Sequence, residues 1–286
     1  MEMEKTMQII HSPEALHSVC AEWRRQGLKT ALVPTMGYYH AGHASLISYA
    51  RSVADKVIVS LFVNPTQFGP NEDLEAYPRD FEKDSALVRE LGGDVLYAPE
   101  PENMYAPDHA TWVEVPALAN TLCGLSRPIH FRGVCTVVLK LFMLAQPSLA
   151  VFGEKDWQQL AIIKKMVSDL NVVGRPIVRE ADGLALSSRN VYLTPEERAQ
   201  APQIRKSLEM AAGLAAGGER DAARIIEAVR GYLAEHLPTG EEDYISIVDP
   251  AVLTKVDRIE DMALCALAIR LGKARLIDNI LLKVGE

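Results

Sequence analysis

Long apolar runs are missing from this sequence of 286 residues. No stretch approaches the roughly 18 uninterrupted apolar residues that a membrane span needs. Cysteine is sparse as well: Cys20, Cys123, Cys135 and Cys265 lie far apart with no CxxC pair. That spacing argues against a disulfide framework or a cysteine zinc site and points to a reducing compartment. An excess of positive charge is also absent, with 30 lysines and arginines against 38 acids and a formal net charge of -8. Bulk nucleic-acid binding needs a basic face and is set aside. An anionic small substrate is not, because a few local donors override a diffuse negative field. The opening MEMEKTMQII has two acids and no apolar core of a signal peptide. There is no internal repeat. The expectation is a soluble, cytoplasmic protein.

What the chain does contain is an alternation of β-branched apolar runs and amphipathic stretches. Thr30 to Met36, Lys56 to Asn64, Asp94 to Pro99, Leu149 to Asp156 and Pro176 to Glu180 read as strands. Their near-continuous apolarity suits strands covered on both faces. HASLISYARSVADK, DFEKDSALVRELGG and WQQLAIIKKMVSDL carry apolar residues three and four apart, the stripe of a helix buried on one side. An earlier helix opens at Ser12-Pro13. The succession implies right-handed crossovers and a mostly parallel sheet. Near residue 182 the composition shifts. A capping-box pattern at Thr194 and Glu197 precedes an alanine-rich helical region that breaks at Gly217-Gly218. Three strand-like runs then close the chain, DYISIVDP, ALCALAIRL and RLIDNILL. The expected class is α/β, with a Rossmann-like domain over 1–181 and a smaller α+β domain over 182–286.

Five motifs stand out. The first strand ends in PTMGYYHAGH, which places His40 and His43 three apart in the first turn of a helix. Helix-start amides favour phosphate, and Gly42 lets a ligand approach closely. Two imidazoles there can donate to a phosphoryl oxygen as its charge grows. Local capping is the plainer alternative, and a metal site would lack a third ligand at helical spacing. The second strand runs into FVNPTQFG, so the amides of Asn64 and Gln67 are expected to project at its carboxyl end, where parallel sheets bind ligands; an ordinary polar turn is equally open. A later strand ends in GEKDWQQ, with Gly153 for a tight turn, Lys155 as a mobile cation and Gln159 in the next helix. LSSRN, Leu186 to Asn190, offers two hydroxyls and a guanidinium for a polyphosphate. RPIHFRGV adds Arg127, His130 and Arg132 in what reads as a glycine-ended turn. The acids Asp80, Glu82 and Asp84 read as a solvated helix face, a place near the metal being the other reading.

In this order and spacing the five motifs resemble the pantoate–β-alanine ligase family, over about residues 8 to 283. The resemblance implies a Rossmann-type domain with a lid-like C-terminal domain, a cytoplasmic homodimer, and a reaction using ATP and Mg²⁺ through a pantoyl adenylate, with pantoate and β-alanine as substrates. By the same resemblance, His43 is the proton donor, His40 its phosphate-contacting companion and Lys155 a phosphate cation. ATP is expected against Met36, Gly37, Tyr38, Tyr39, His40, Ala41, Gly42 and His43. Further ATP contacts are expected from Gly153, Glu154, Lys155, Asp156, Val178, Leu186, Ser187, Ser188 and Arg189. Gln67 and Gln159 are expected to hold pantoate, with Asn64 and His130 lining that pocket; protein ligands of the metal are not assigned. Tyr38-Tyr39, Ala41, Ile129, Trp157 and Leu186 depart from the family's usual residues. Two other readings stand beside it, another HxGH-type nucleotidyltransferase and a non-catalytic nucleotide-binding module.

Overall fold

The structure, a computed structural model, describes residues 7–70, 72–168 and 171–285. The chain begins with β1 (Gln8–Ile10), α1 (Pro13–Arg25), β2 (Thr30–Thr35), α2 (Ala41–Val53), β3 (Lys56–Leu61), α3 (Phe81–Glu90) and β4 (Val95–Tyr97). Three short helices follow, α4 (Pro101–Met104), α5 (Pro116–Ala119) and α6 (Cys123–Ser126). Next come α7 (His130–Ala145), β5 (Leu149–Gly153), α8 (Trp157–Met166) and β6 (Asn171–Arg175). The remainder is α9 (Pro195–Gln200), α10 (Gln203–Ala216), α11 (Ala222–His236), β7 (Gly240–Val248), β8 (Met262–Leu271) and β9 (Ala274–Lys283).

Six strands form a parallel sheet in the order β1-β4-β3-β2-β5-β6. Strand side chains alternate between faces, and here both sets are buried. Ala31, Val33, Val57, Val59, Leu149 and Val151 pack with Leu46, Ile47 and Ala50 of α2. The intervening Leu32, Ile58, Ala150 and Phe152 are buried as well, and α7 covers β2 and packs on α1. This double cover is why the strands read as unbroken apolar runs. The chain steps from β2 outward through β3 to β4, then returns to place β5 on β2's other side. That reversal puts a topological switch point at the carboxyl ends of β2 and β5, where doubly wound sheets bind ligands.

The last three strands make a separate antiparallel sheet, β7-β8-β9. Leu208, Ala211 and Ala215 of α10 and Ile225 and Val229 of α11 share a core with Cys265, Leu267 and Ile269 of β8. The α/β class with a second, smaller α+β part is as expected. The chain divides into two compact units: Met1–Val115 with Ile129–Glu154 and Ile162–Pro176, and Pro116–Pro128 with Lys155–Ala161 and Ile177–Glu286. No helix among the described residues is long and apolar enough to cross a membrane.

Several expectations are corrected. The last parallel strand is Asn171–Arg175, and Pro176 to Glu180 lies beyond it apart from a single bridge between Arg179 and Ala185. Its partner strand β5 ends at Gly153, opposite Arg175, so the residues from Pro176 on have no strand left to pair with. Strand β3 ends at Leu61 rather than Asn64, and α8 ends at Met166. Residues 1–6, Asp169 and Leu170 lie outside the described residues. The RPIHFRGV motif is no turn: His130 starts the sixteen-residue helix α7. That helix buries Phe131, Val134, Val138, Leu141, Phe142 and Ala145, and leaves Arg132, Lys140 and Met143 toward the outside. The local caps are as expected, with Ser12 accepting from the Ala15 amide and Thr194 and Glu197 closing a reciprocal box.

Candidate active site

At the carboxyl end of β2 the chain turns through Gly37 (φ +86°) and Tyr38 (φ +53°), two consecutive left-handed residues. A lone non-glycine residue in that region is costly, so something must hold it. The holder is Asp84 of α3. Its carboxylate accepts from the Tyr38 amide at 2.6 Å and the Tyr39 amide at 2.7 Å, and it is 1% exposed. A Cβ on Gly37 would stand 3.0 Å from an Asp84 oxygen, which explains the glycine. Asp84 is therefore not part of a solvated helix face. Burial raises its pKa above the ordinary carboxylate value, with the two amide hydrogen bonds pulling against that rise.

Tyr39 then turns inward. Its hydroxyl lies 2.9 Å from Thr35 Oγ1, which itself donates to the Ser60 carbonyl at 2.6 Å. Burial pushes the phenol above its usual value, so it serves as a neutral donor. Its ring sits 5.2 Å from that of His43, while the Tyr38 ring lies under the Lys83 ammonium at 5.6 Å.

His40 caps α2 in an extended conformation, and its Nδ1 accepts from the Gly42 amide at 3.1 Å. The His40 amide donates in turn to His43 Nδ1 at 3.4 Å. An amide can only donate, so each imidazole uses Nδ1 as acceptor and carries its proton on Nε2. The rings are 4.2 Å apart. The first turn of α2 has no acidic residue, so nothing in that turn neutralises its positive end. Two oriented Nε2–H donors beside such an end are suited to a phosphoryl oxygen.

The FVNPTQFG segment ends one strand away. Both amides are buried rather than projecting, Asn64 at 1% exposed and Gln67 at 6%. Asn64 Nδ2 donates to Gln67 Oε1 and to the Gly133 carbonyl, both at 3.1 Å. Its Oδ1 accepts from the Thr66 amide and hydroxyl and from the Tyr105 hydroxyl. Burial raises the Tyr105 phenol, while its bonds to Thr66 and Asn64 pull it back. Gln67 Nε2 lies 3.0 Å from Met36 Sδ, joining this turn to the start of the histidine loop. His130 Nδ1 meets the Gln67 carbonyl at 3.0 Å, which makes that nitrogen the donor.

The remaining expected residues form a second group. Lys155 and Asp156 lie in the turn Glu154–Asp156 that follows Gly153, and Asn279 of β9 donates to the Lys155 carbonyl at 3.0 Å. Next along α8, Trp157 donates its indole N–H to the Pro250 carbonyl at 2.9 Å. Gln158 is buried and braces Cys123, Leu118 and Thr121, leaving half-buried Gln159 as the amide on the other side. A small hairpin brings Val178 and Leu186 together: the Leu186 amide donates to the Val178 carbonyl at 3.0 Å, and the bend passes through Gly183. Arg179 clamps this hairpin to Asp278 of β9 with bonds of 2.6 and 2.9 Å. Ser187 then caps the short turn Ser188–Tyr192 by accepting from the Arg189 amide. Sequence reasoning missed Asp84, Asn279 and Asp278. Only Asp84 left a trace, an acid four residues before Val88 on the buried stripe of α3.

Among the described residues no group of three histidine, cysteine or acidic side chains is placed to hold a metal ion.

The family described as Pantoate-beta-alanine ligase matches residues 8–281. A pantothenate synthetase of Nitratidesulfovibrio vulgaris (strain DSM 19637 / Miyazaki F) is 65% identical over 284 residues, 98% of this chain and 100% of that one. The crystal structure of pantothenate synthetase from Thermus thermophilus superposes with a TM-score of 0.89 at 43% identity, covering 96% of this chain and 99% of that one. The pantoate-beta-alanine ligase of Francisella tularensis, complexed with beta-gamma ATP and beta-alanine, gives a TM-score of 0.78 at 34% identity, covering 96% and 98%.

Proposed function

The chain belongs to the pantoate-beta-alanine ligase family, and from that premise we propose how its own residues carry the reaction. It is an enzyme that condenses pantoate with β-alanine to pantothenate, using ATP as substrate. In the first step a pantoate carboxylate oxygen attacks the α-phosphorus of ATP, the bond to the β-phosphate oxygen breaks, and pyrophosphate leaves. In the second, the β-alanine amine attacks the acyl carbon of pantoyl adenylate, loses a proton, and AMP departs with the former carboxylate oxygen.

One observation carries the assignment of roles. Both histidines of the HxGH loop are fixed by backbone amides in the tautomer that carries its proton on Nε2. Each is thus a preorganised donor, needing no reorientation as negative charge grows on the α-phosphoryl oxygens. His43 takes the proton-donor role and His40 the phosphate contact. The amides of the Met36 to His43 loop cradle the nucleotide, as does Gly153, whose missing side chain leaves open space. Lys155, Ser187, Ser188 and Arg189 meet the leaving pyrophosphate, with Val178 and Leu186 flanking the nucleotide. Gln67 and Gln159 hold pantoate through neutral amides, which fix a carboxylate without extinguishing its nucleophilicity.

Mg²⁺ fits as an ion that arrives with the nucleotide. The donor set among the described residues lacks a protein cage, and this ion prefers phosphates and water with one or two carboxylates. Asp156, beside Lys155, is the carboxylate proposed to hold it, and its chemistry there is to neutralise charge on the triphosphate. The chain is further proposed to work in the cytoplasm as a homodimer, with a nucleotide- and pantoate-binding part over 1–181 and a lid over 182–286. A closing lid would keep water from the acyl adenylate.

The test is pyrophosphate release with ATP and pantoate, with and without β-alanine. Pyrophosphate is expected from the first two alone as a single turnover, and sustained AMP release only when all three are present. Tight ATP binding with no pyrophosphate on adding pantoate would instead mark a non-catalytic nucleotide-binding module.

A further inference from the structure

Asn64, Gln67 and His130 were grouped above as substrate-facing residues, yet their bonds have a different distribution. All the hydrogen-bonding capacity of the Asn64 side chain is turned inward: two donations and three acceptances, all to protein groups. It is a cross-link between the Pro65–Gln67 turn and the first turn of α7. The same two pieces meet again through His130, which donates to the Gln67 carbonyl. They meet a third time at Gly133, where no bond is involved. A methyl group there would stand 2.5 Å from the Thr66 carbonyl oxygen and 2.6 Å from both the Gln67 nitrogen and the Thr66 carbonyl carbon. Ordinary contact begins at 3.4 Å. All three atoms are backbone, so no rotamer change relieves the overlap.

We propose that the first turn of α7 is the seat that positions Gln67: Gly133 by the absence of a side chain, His130 by its Nδ1–H, and Asn64 as the tie between them. The proposal rests on the reading of Gln67 as a pantoate ligand. Gly133 and Asn64 are positioning residues, acting through Gln67 rather than on substrate. The helix is rigid because most of its length is buried, from Phe131 through Ala145. The turn it supports is short and begins with a proline, so it has little freedom to drift. Any residue larger than glycine at 133 must displace the turn by something under 1 Å, and displacements on that scale cost up to about a hundredfold in rate.

The experiment is a double-mutant cycle on adenylate formation, with pantoate and ATP varied separately. Gly133→Ala is expected to lower kcat/KM for pantoate by about tenfold or more while ATP KM stays within about twofold. In a Gln67→Ala background the same substitution is expected to cost less than about twofold, because the residue it positions is gone. A folded Gly133→Ala enzyme with unchanged pantoate kcat/KM overturns the proposal, and so does full additivity with Gln67→Ala. Should Gly133→Ala fail to fold, His130→Leu carries the same cycle. A loss seen in the parent and absent from the Gln67→Ala background supports the seat; a loss that persists there places His130 on the substrate and overturns it. If Gln67→Ala itself leaves pantoate kinetics untouched, the reading of Gln67 fails and takes the seat with it. A sensitive Gln67 beside a silent Gly133 overturns the seat alone.

Discussion

The histidine-bearing loop and the serine-arginine turn, both proposed above as nucleotide contacts, are built on opposite plans. In the first, functional groups are neutral, their tautomers are set by amides, and the loop is pinned by a buried carboxylate. In the second, the expected phosphate ligands are charged or hydroxyl-bearing side chains, and the bonds described above secure the segments that carry them. Asn279 holds the Lys155 carbonyl, Arg179 holds the hairpin, and Ser187 caps the turn carrying Arg189. The lesson concerns where order is placed. Donors that meet developing charge gain by being fixed beforehand, whereas the ammonium of Lys155, on a flexible four-carbon stem, is a mobile point charge.

Four substitutions probe that contrast. His43→Ala should cost about 3 kcal/mol, on the order of a hundredfold or more in the pyrophosphate-release rate, since loss of one preorganised donor has that size. A near-normal rate would show that the histidine-bearing loop is not the catalytic one. Asp278→Ala should lower stability by about 2 kcal/mol in denaturant unfolding, because it leaves the largely buried Arg179 without its partner. Its effect should fall on ATP KM more than on kcat, and the reverse split would place the serine-arginine turn in the chemical step.

Asp84→Asn should cost about 1.4 kcal/mol, or tenfold, in kcat, since one of two loop amides loses its acceptor. The sign of its pH dependence follows from the direction of the shift. Asp84 is raised in the folded state, so its favourable contribution is full below the unfolded pKa and is lost as pH rises through the folded one. Melting temperatures taken between about pH 4 and pH 7 should therefore show the parent gaining on the variant as pH falls. A gap that widens with rising pH would contradict the burial account. Trp157→Phe should be the mildest, at about 1 kcal/mol of stability for one neutral hydrogen bond, with little change in turnover.

Much of this was legible in the chain because its causes are local. Apolar strands, the Ser12 and Thr194 caps and the helix start at His40 each depend on residues within four positions, and the structure has them. The tight turn after Gly153 was legible for the same reason, although the strand ends at Gly153 rather than at Asp156. What escaped was non-local. The contact of Asp84 with the Tyr38 amide spans 46 residues, and nothing near Tyr38 announces that it is left-handed. Helix α7 hid because Gly133 reads as a turn breaker and Val134, Val137 and Val138 mimic a strand. In Asn171 to Glu180 two β-branched pairs flank Arg175-Pro176, and only the sheet register selects the first.

The three tryptophans occupy three unlike settings: Trp23 is buried, Trp112 is 40% exposed, and Trp157 is anchored at the head of the helix that carries Gln159. Replacing the first two with phenylalanine would leave one emitter two positions from Lys155. If nucleotide binds beside Lys155 as proposed, its arrival would be followed by fluorescence in real time, without a label or a coupled enzyme, an optical gauge of occupancy already in the chain.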